Sequence, residues 1–262
     1  MDMKKLGLMA LAAVLALGMV LGIGQVVRAD IMQEPVVYTI DGQPYEGYFA
    51  INPGFGNNQP LVLLVHDWNG LDSYEMRRAQ MLAEQGYATF AVDLYGQGVR
   101  PRNTEESQAE SGKLYADRAT MRARLAAGLA EAQQRMGVDG DRVVAIGYCF
   151  GGAAVLEMAR AGMDLDGFVS FHGSFETPAG QDYRQTQGRV LILHGSDDPV
   201  APMADVAQLA AEMDAADVDF DMEIYGGVDH AFTVWTAGDR YDGRADRKSW
   251  RALLTFLGET ID

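Results

Sequence analysis

The chain has a single cysteine, Cys149, in 262 residues. No disulfide can close within it, so the covalent staples common in exported proteins are excluded. Histidine is scarce too, at four, and none stands at His-x-His or His-x-x-x-His spacing. With no second cysteine to complete a ligand set, this argues against a zinc site, and no metal is expected. Basic charge is short. The 21 Lys and Arg stand against 37 Asp and Glu for a net charge of −16, which opposes binding to nucleic-acid phosphates or anionic lipid. No internal repeat, low-complexity tract or proline-rich linker interrupts the chain.

The one long hydrophobic run is Leu6–Gly24, preceded by Lys4 and Lys5 and followed by Val27-Arg28-Ala29. This order predicts an export signal over residues 1–29, cleaved before Asp30, and a periplasmic or secreted protein. At nineteen residues the run approaches the length that spans a bilayer, so membrane anchoring by residues 6–24 is the alternative. Residues 30–262 have a length suited to one large α/β domain with a substantial core.

Within that segment, Val36–Ile40 and Glu46–Ile51 flank an Asp41-Gly42 turn and predict a hairpin. Leu61–Val65, Ala88–Val92, Gly167–Phe171 and Val190–His194 are short apolar runs, the pattern of strands covered on both faces. Helices are predicted over Ser73–Gln85, Arg118–Met136, Met203–Ala216 and Arg244–Leu257, and an irregular surface excursion over Tyr95–Ser111. Asp217–Ile224 alternates acid and apolar residues. Its first positions resemble a calcium loop, but Met222 stands where glycine is needed and Val228 where glutamate is needed, so a half-exposed strand is predicted. Aliphatic strands alternating with helices specify an α/β fold, a mostly parallel twisted sheet with helices on both faces.

Cys149 stands at the centre of Gly147-Tyr148-Cys149-Phe150-Gly151, after the apolar run Arg142–Ile146 and before a helix-prone stretch from Gly152 to Arg160. A strand, a sharp turn and a helix with a nucleophile at the tip need small flanking residues so that strand and helix can approach. The position at a helix N-terminus also favours a thiolate. Such a nucleophile needs a base, and the base an orienting acid. His230, in Gly226-Gly227-Val228-Asp229-His230-Ala231-Phe232, and Asp198, in Gly195-Ser196-Asp197-Asp198-Pro199, both follow predicted strands. The order nucleophile, acid, histidine is that of α/β-hydrolases. Asp197 is the rival acid, and the frame Gly195-x-x-Asp198 followed by Pro199 and Pro202 favours Asp198. His66, His172 and His194 also stand at strand ends, and for the last two local hydrogen bonding of the loops is expected.

Over nearly all of residues 36–260 the chain resembles the dienelactone hydrolase family. The resemblance rests on His66-Asp67-Trp68-Asn69-Gly70-Leu71, Asp93-Leu94-Tyr95-Gly96, the cysteine elbow, Gly195–Pro199 and His230-Ala231-Phe232. It implies an α/β-hydrolase fold and a triad of Cys149, Asp198 and His230. It also implies an oxyanion hole from the backbone N–H groups of Trp68 and Phe150. Asp67 takes the position of a glutamate that modulates the thiol in the family, one methylene shorter. Gln97 and Val234 take the positions of two arginines that hold a substrate carboxylate, with Arg100 or Arg102 as a replacement for the first. A neutral ester or lactone substrate is therefore expected, cleaved through an acyl-enzyme without a cofactor. The competing readings are a small-ligand-binding protein and a redox-responsive thiol protein on the same fold.

Overall fold

The computed structural model describes residues 30–262; the predicted export signal lies outside them. Strands β1 (Met32–Ile40) and β2 (Gln43–Ile51) form a hairpin with Ile40 opposite Gln43, so Asp41 and Gly42 make a two-residue turn. Both have positive φ, 48° and 78°, the handedness that matches the twist of the flanking strands. β2 pairs antiparallel with β4 (Ala88–Val92). From β4 onward all neighbours are parallel, through β3 (Gln59–Val65), β5 (Val138–Tyr148), β6 (Gly167–Phe171), β7 (Arg189–Gly195) and β8 (Phe220–Tyr225). The order β1-β2-β4-β3-β5-β6-β7-β8 reverses its direction at β3, and the crevice beyond the carboxyl ends of strands at such a reversal is where ligands bind.

The aliphatic runs are doubly covered, as their composition predicts: every residue of β4 and β6 is buried, and so is all of Leu61–Val65. Leu61, Leu63 and Val65 pack with α3 (Arg118–Gln133), α4 (Phe150–Arg160) and α5 (Met203–Ala215) on one face. Val62 and Leu64 pack with α1 (Ser73–Ala83) and α6 (Gly243–Thr260) on the other. The two cores follow from the period-two alternation of side chains along a strand. At the sheet edge β8 is mostly half-exposed or exposed, in place of any calcium loop.

The excursion predicted over Tyr95–Ser111 is not irregular throughout, because Thr104–Ala116 is a helix, α2. Asn103 caps it, its side chain accepting from the Glu106 N–H at 3.0 Å. Glu105 and Glu106 occupy the first turn and Lys113 the last, each favourable to the helix dipole. Capping and charge replace an apolar stripe here: in α2 the buried residues are Ser107, Ser111 and Leu114. Smaller differences fall at ends, where α3 stops at Gln133 rather than Met136 and α4 starts at Phe150.

Candidate active site

The elbow between β5 and α4 is built by backbone contact. Cys149 has φ 54° and ψ −113°, a conformation that costs an L-residue of order 1–3 kcal/mol and persists only when its surroundings enforce it. The Cys149 N–H donates to the Phe171 carbonyl of β6 at 3.0 Å. The glycines on either side admit no side chain: a Cβ on Gly147 would lie 2.1 Å from the Gly151 carbonyl oxygen, and one on Gly151 2.3 Å from that of Val65. The half-buried Cys149 is thereby raised above the carboxyl ends of the strands.

His230 Nε2 lies 3.1 Å from Cys149 Sγ, and its Nδ1 lies 2.8 Å from Asp198 Oδ2. Burial alone pushes the imidazole down, but the contacts with Asp198 and Cys149 outweigh it and lift His230 to about 10. Asp198 is also buried, which works against its charge. His230 and the Val200 and Ala201 amides, donating to Oδ1 at 2.8 and 3.1 Å, hold its carboxyl below the usual range. Asp197 is exposed and accepts from the Ser196 hydroxyl. Of the two acids, only Asp198 meets the histidine.

The other histidines tie strand ends together. His66 Nδ1 donates to the Asp67 carbonyl at 2.6 Å, and its Nε2 accepts from the Leu94 N–H, joining the ends of β3 and β4. His194 Nε2 donates to the Ala201 carbonyl at 2.8 Å, and burial pushes the imidazole down. His172 is bound to the Thr233 hydroxyl at 2.8 Å, and burial pushes it well down. Thr233 also meets the Tyr74 hydroxyl, and its carbonyl accepts from Arg78, a fully buried guanidinium paired with Asp246. The loop that carries His230 is thus fixed from behind by a buried polar network, whose removal piecemeal would leave unpaired charge.

The cavity above Cys149 measures about 330 Å³ and is lined by Asp67, Trp68, Phe150 and Val234, among others. That suits a small ligand. The Trp68 and Phe150 N–H groups donate to no protein acceptor among the described residues. Asp67 accepts from the Asn69 N–H at 2.6 Å, and burial lifts its carboxyl to about 6. A larger depression, about 660 Å³, lies apart and is lined by Arg122, Arg160 and Arg184 rather than by a nucleophile.

Gln97, Arg100 and Arg102 are not part of the cavity wall. The Gln97 side chain donates to Glu46 at 2.9 Å, and Arg100 donates to the Val99 carbonyl and faces Asp93 at 3.7 Å. Glu46 on β2, Asp93 just beyond β4 and the loop's own carbonyls capture these donors. Residues outside the predicted site line the cavity instead: Asn69, Ser111, Tyr115, Ser174 and Arg240. Ser111 and Tyr115 arrive on α2, whose Asn103-to-Glu106 cap was the legible signal. Arg240 ends a short 3₁₀ turn, Gly238–Arg240; no sequence signal marks it.

The profile of the dienelactone hydrolase family matches residues 45–261. The chain belongs to this family. Family membership makes it a hydrolase of the ester or lactone type on an α/β-hydrolase fold. Among dienelactone hydrolase-like structures, it is similar to the promiscuous phosphotriesterase P91 from metagenomic libraries, at 32% identity and a TM-score of 0.83, covering 88% of this chain and 99% of that one. The solved structure m3DLH is 30% identical with a TM-score of 0.84, over 88% and 99% of the two chains. The Protein usf of Aquifex pyrophilus is 25% identical over 88% of this chain and all of its own length.

Proposed function

We propose that the chain is an exported, cysteine-dependent hydrolase of carboxylic esters or lactones that works through Cys149, His230 and Asp198. The observation that carries this reading is the continuous contact from Sγ through the imidazole to a buried carboxylate. The Cys149 thiolate attacks the carbonyl carbon, and the developing oxyanion takes the Trp68 and Phe150 N–H groups. As the C–O bond breaks, His230 gives its Nε2 proton to the leaving alkoxide, and a thioester remains. Water then attacks the thioester while His230 takes its proton, the C–S bond breaks, and acid and thiolate are released. Asp198 holds the imidazole in orientation and stabilises its charged form. Asp67, in the same cavity, is assigned the tuning of the thiol's ionisation. None of these steps calls for a cofactor.

Replacing Cys149 with Ala should lower kcat/KM for short-chain p-nitrophenyl esters by about 10⁴-fold or more. A variant that keeps a tenth of the wild-type rate would sink the assignment. Cys149→Ser should also be poor, because an alcohol is far less acidic than a thiol. A second electrophile is worth testing in the same assay, since P91 is named a phosphotriesterase: a diethyl aryl phosphate offers one phosphoryl oxygen to the same donors. Export is supported by the Lys4–Ala29 pattern. Intact mass of protein from the exported fraction should correspond to a chain starting at Asp30; full-length mass in the membrane pellet would establish the anchor instead.

A further inference from the structure

Tyr115, in the last turn of α2, is held on two sides. Its ring meets Phe150 edge-on, with centroids 5.3 Å apart and planes at 88°. The Arg118 guanidinium carbon lies 4.7 Å from the ring centroid. Phe150 is the residue whose N–H is assigned to the oxyanion, so Tyr115 stands next to the acyl side of the reaction. Its phenol lies beside Ser174 and within electrostatic reach of Cys149, and burial pushes it up to about 12. It therefore remains a neutral O–H donor throughout the working range.

The cavity wall divides by chemistry. Asn69, Ser111, Tyr115 and Ser174 contribute uncharged polar groups. Val200, Ala231 and Val234 come from the loops that carry Asp198 and His230 and are apolar next to the imidazole, with Thr236 and Arg240 farther along the same stretch. Because His230 protonates the leaving alkoxide, the alcohol arm is placed toward the His230 loop, and the acyl arm toward Tyr115 and Ser174. Ser111 already donates to the Ser107 carbonyl, so the half-buried Tyr115 and Ser174 hydroxyls are the ones an alkyl acyl chain would strip of water without offering a partner, the situation that rejects analogues lacking a polar group.

Resting on the reading of Cys149 and His230 above, we infer that Tyr115, with Ser174, selects acyl groups that carry an uncharged oxygen substituent near the carbonyl. The phenol donates a hydrogen bond to that oxygen. The probes are p-nitrophenyl butyrate and p-nitrophenyl 3-hydroxybutyrate, which share a leaving group and a chain length. The wild-type protein should prefer the hydroxylated ester by about threefold to tenfold in kcat/KM, the range of one net hydrogen bond. In Tyr115→Phe, which keeps the ring against Phe150, the ratio should fall to about one whatever happens to the absolute rates. Ser174→Ala should lower it as well.

An absence of preference in the wild-type protein overturns the inference. So does a ratio that is the same in wild type and Tyr115→Phe, which includes an equal loss on both esters. Cys149→Ala run in parallel separates the two levels: activity surviving there defeats the nucleophile assignment, whereas the substrate ratio judges Tyr115 alone.

Discussion

The β5–α4 elbow and helix α2 border the same cavity, yet they are built on opposite terms. The elbow is determined by backbone: a cysteine with positive φ, a hydrogen bond to β6, and glycines where any Cβ would collide with a neighbouring carbonyl. α2 has a sound cap but buries only Ser107, Ser111 and Leu114, and meets the body of the protein through side chains. On the proposed assignment, chemistry rests on the tightly enforced part of the wall and substrate contact on the more loosely packed part. Segments with few buried contacts open at lower free energy, so α2 is also the wall expected to yield when a ligand enters.

The contrast can be broken at its rigid side first. Gly151→Ala inserts a methyl group 2.3 Å from the Val65 carbonyl oxygen, a backbone atom that cannot turn away. Overpacking of this kind should cost about 3 kcal/mol and remove activity together with stability, read as a coincident fall in urea midpoint and in kcat. A variant of normal stability would mean that the elbow is not as tightly enforced as its contacts indicate.

On the α2 side, Leu114→Ala removes the helix's principal apolar anchor, which is 2% exposed. The loss should be about 2 kcal/mol but should appear as a raised KM with kcat largely kept, the signature of lost uniform binding. A collapse of kcat would place α2 among the elements that hold the nucleophile, and the two walls would no longer differ in kind.

The smallest effect concerns Asp67, which lies between the two. Burial raises its carboxyl from an ordinary value of 3.8 to about 6. The folded state therefore holds the proton more tightly than the unfolded chain, so ionised Asp67 opposes folding above about pH 6, and this opposition disappears as pH falls below about 4. Asp67→Asn should be stabilised relative to wild type by on the order of 1 kcal/mol at pH 8 and by less at pH 5. Urea midpoints at the two pH values measure it, and a difference that does not grow with pH would contradict the buried, raised carboxyl. The same variant should change the pH dependence of Cys149 alkylation by iodoacetamide if Asp67 tunes the thiol.

Legibility in the sequence follows the same division. The doubly covered strands announce themselves as unbroken aliphatic runs, the hairpin as Asp41-Gly42, and the elbow as glycines around Cys149. All are cases in which backbone geometry dictates residue type. α2 escapes because polar side chains and a cap, not an apolar period, hold it. Gln97 stands at a position where the family resemblance places a carboxylate-binding arginine, with Arg100 as its expected replacement, but Glu46, Asp93 and nearby carbonyls draw both away from the cavity. Arg240 reaches the cavity from a loop whose course only the tertiary fold determines. The ionisable side chains of the cavity wall are accordingly Asp67, Cys149, Tyr115, His230 and Arg240, rather than the pair of arginines the family resemblance would supply.

The central claim is that Cys149 carries the acyl group between the two halves of the reaction. Rapid acid quench of the protein with a p-nitrophenyl ester, followed by intact-mass and peptide analysis, tests it most directly. The account predicts a mass increase equal to the acyl group, confined to the peptide containing Cys149, labile to hydroxylamine and absent from Cys149→Ala. Steady turnover with no acyl group on Cys149 at any quench time, together with full activity in Cys149→Ala, would contradict it.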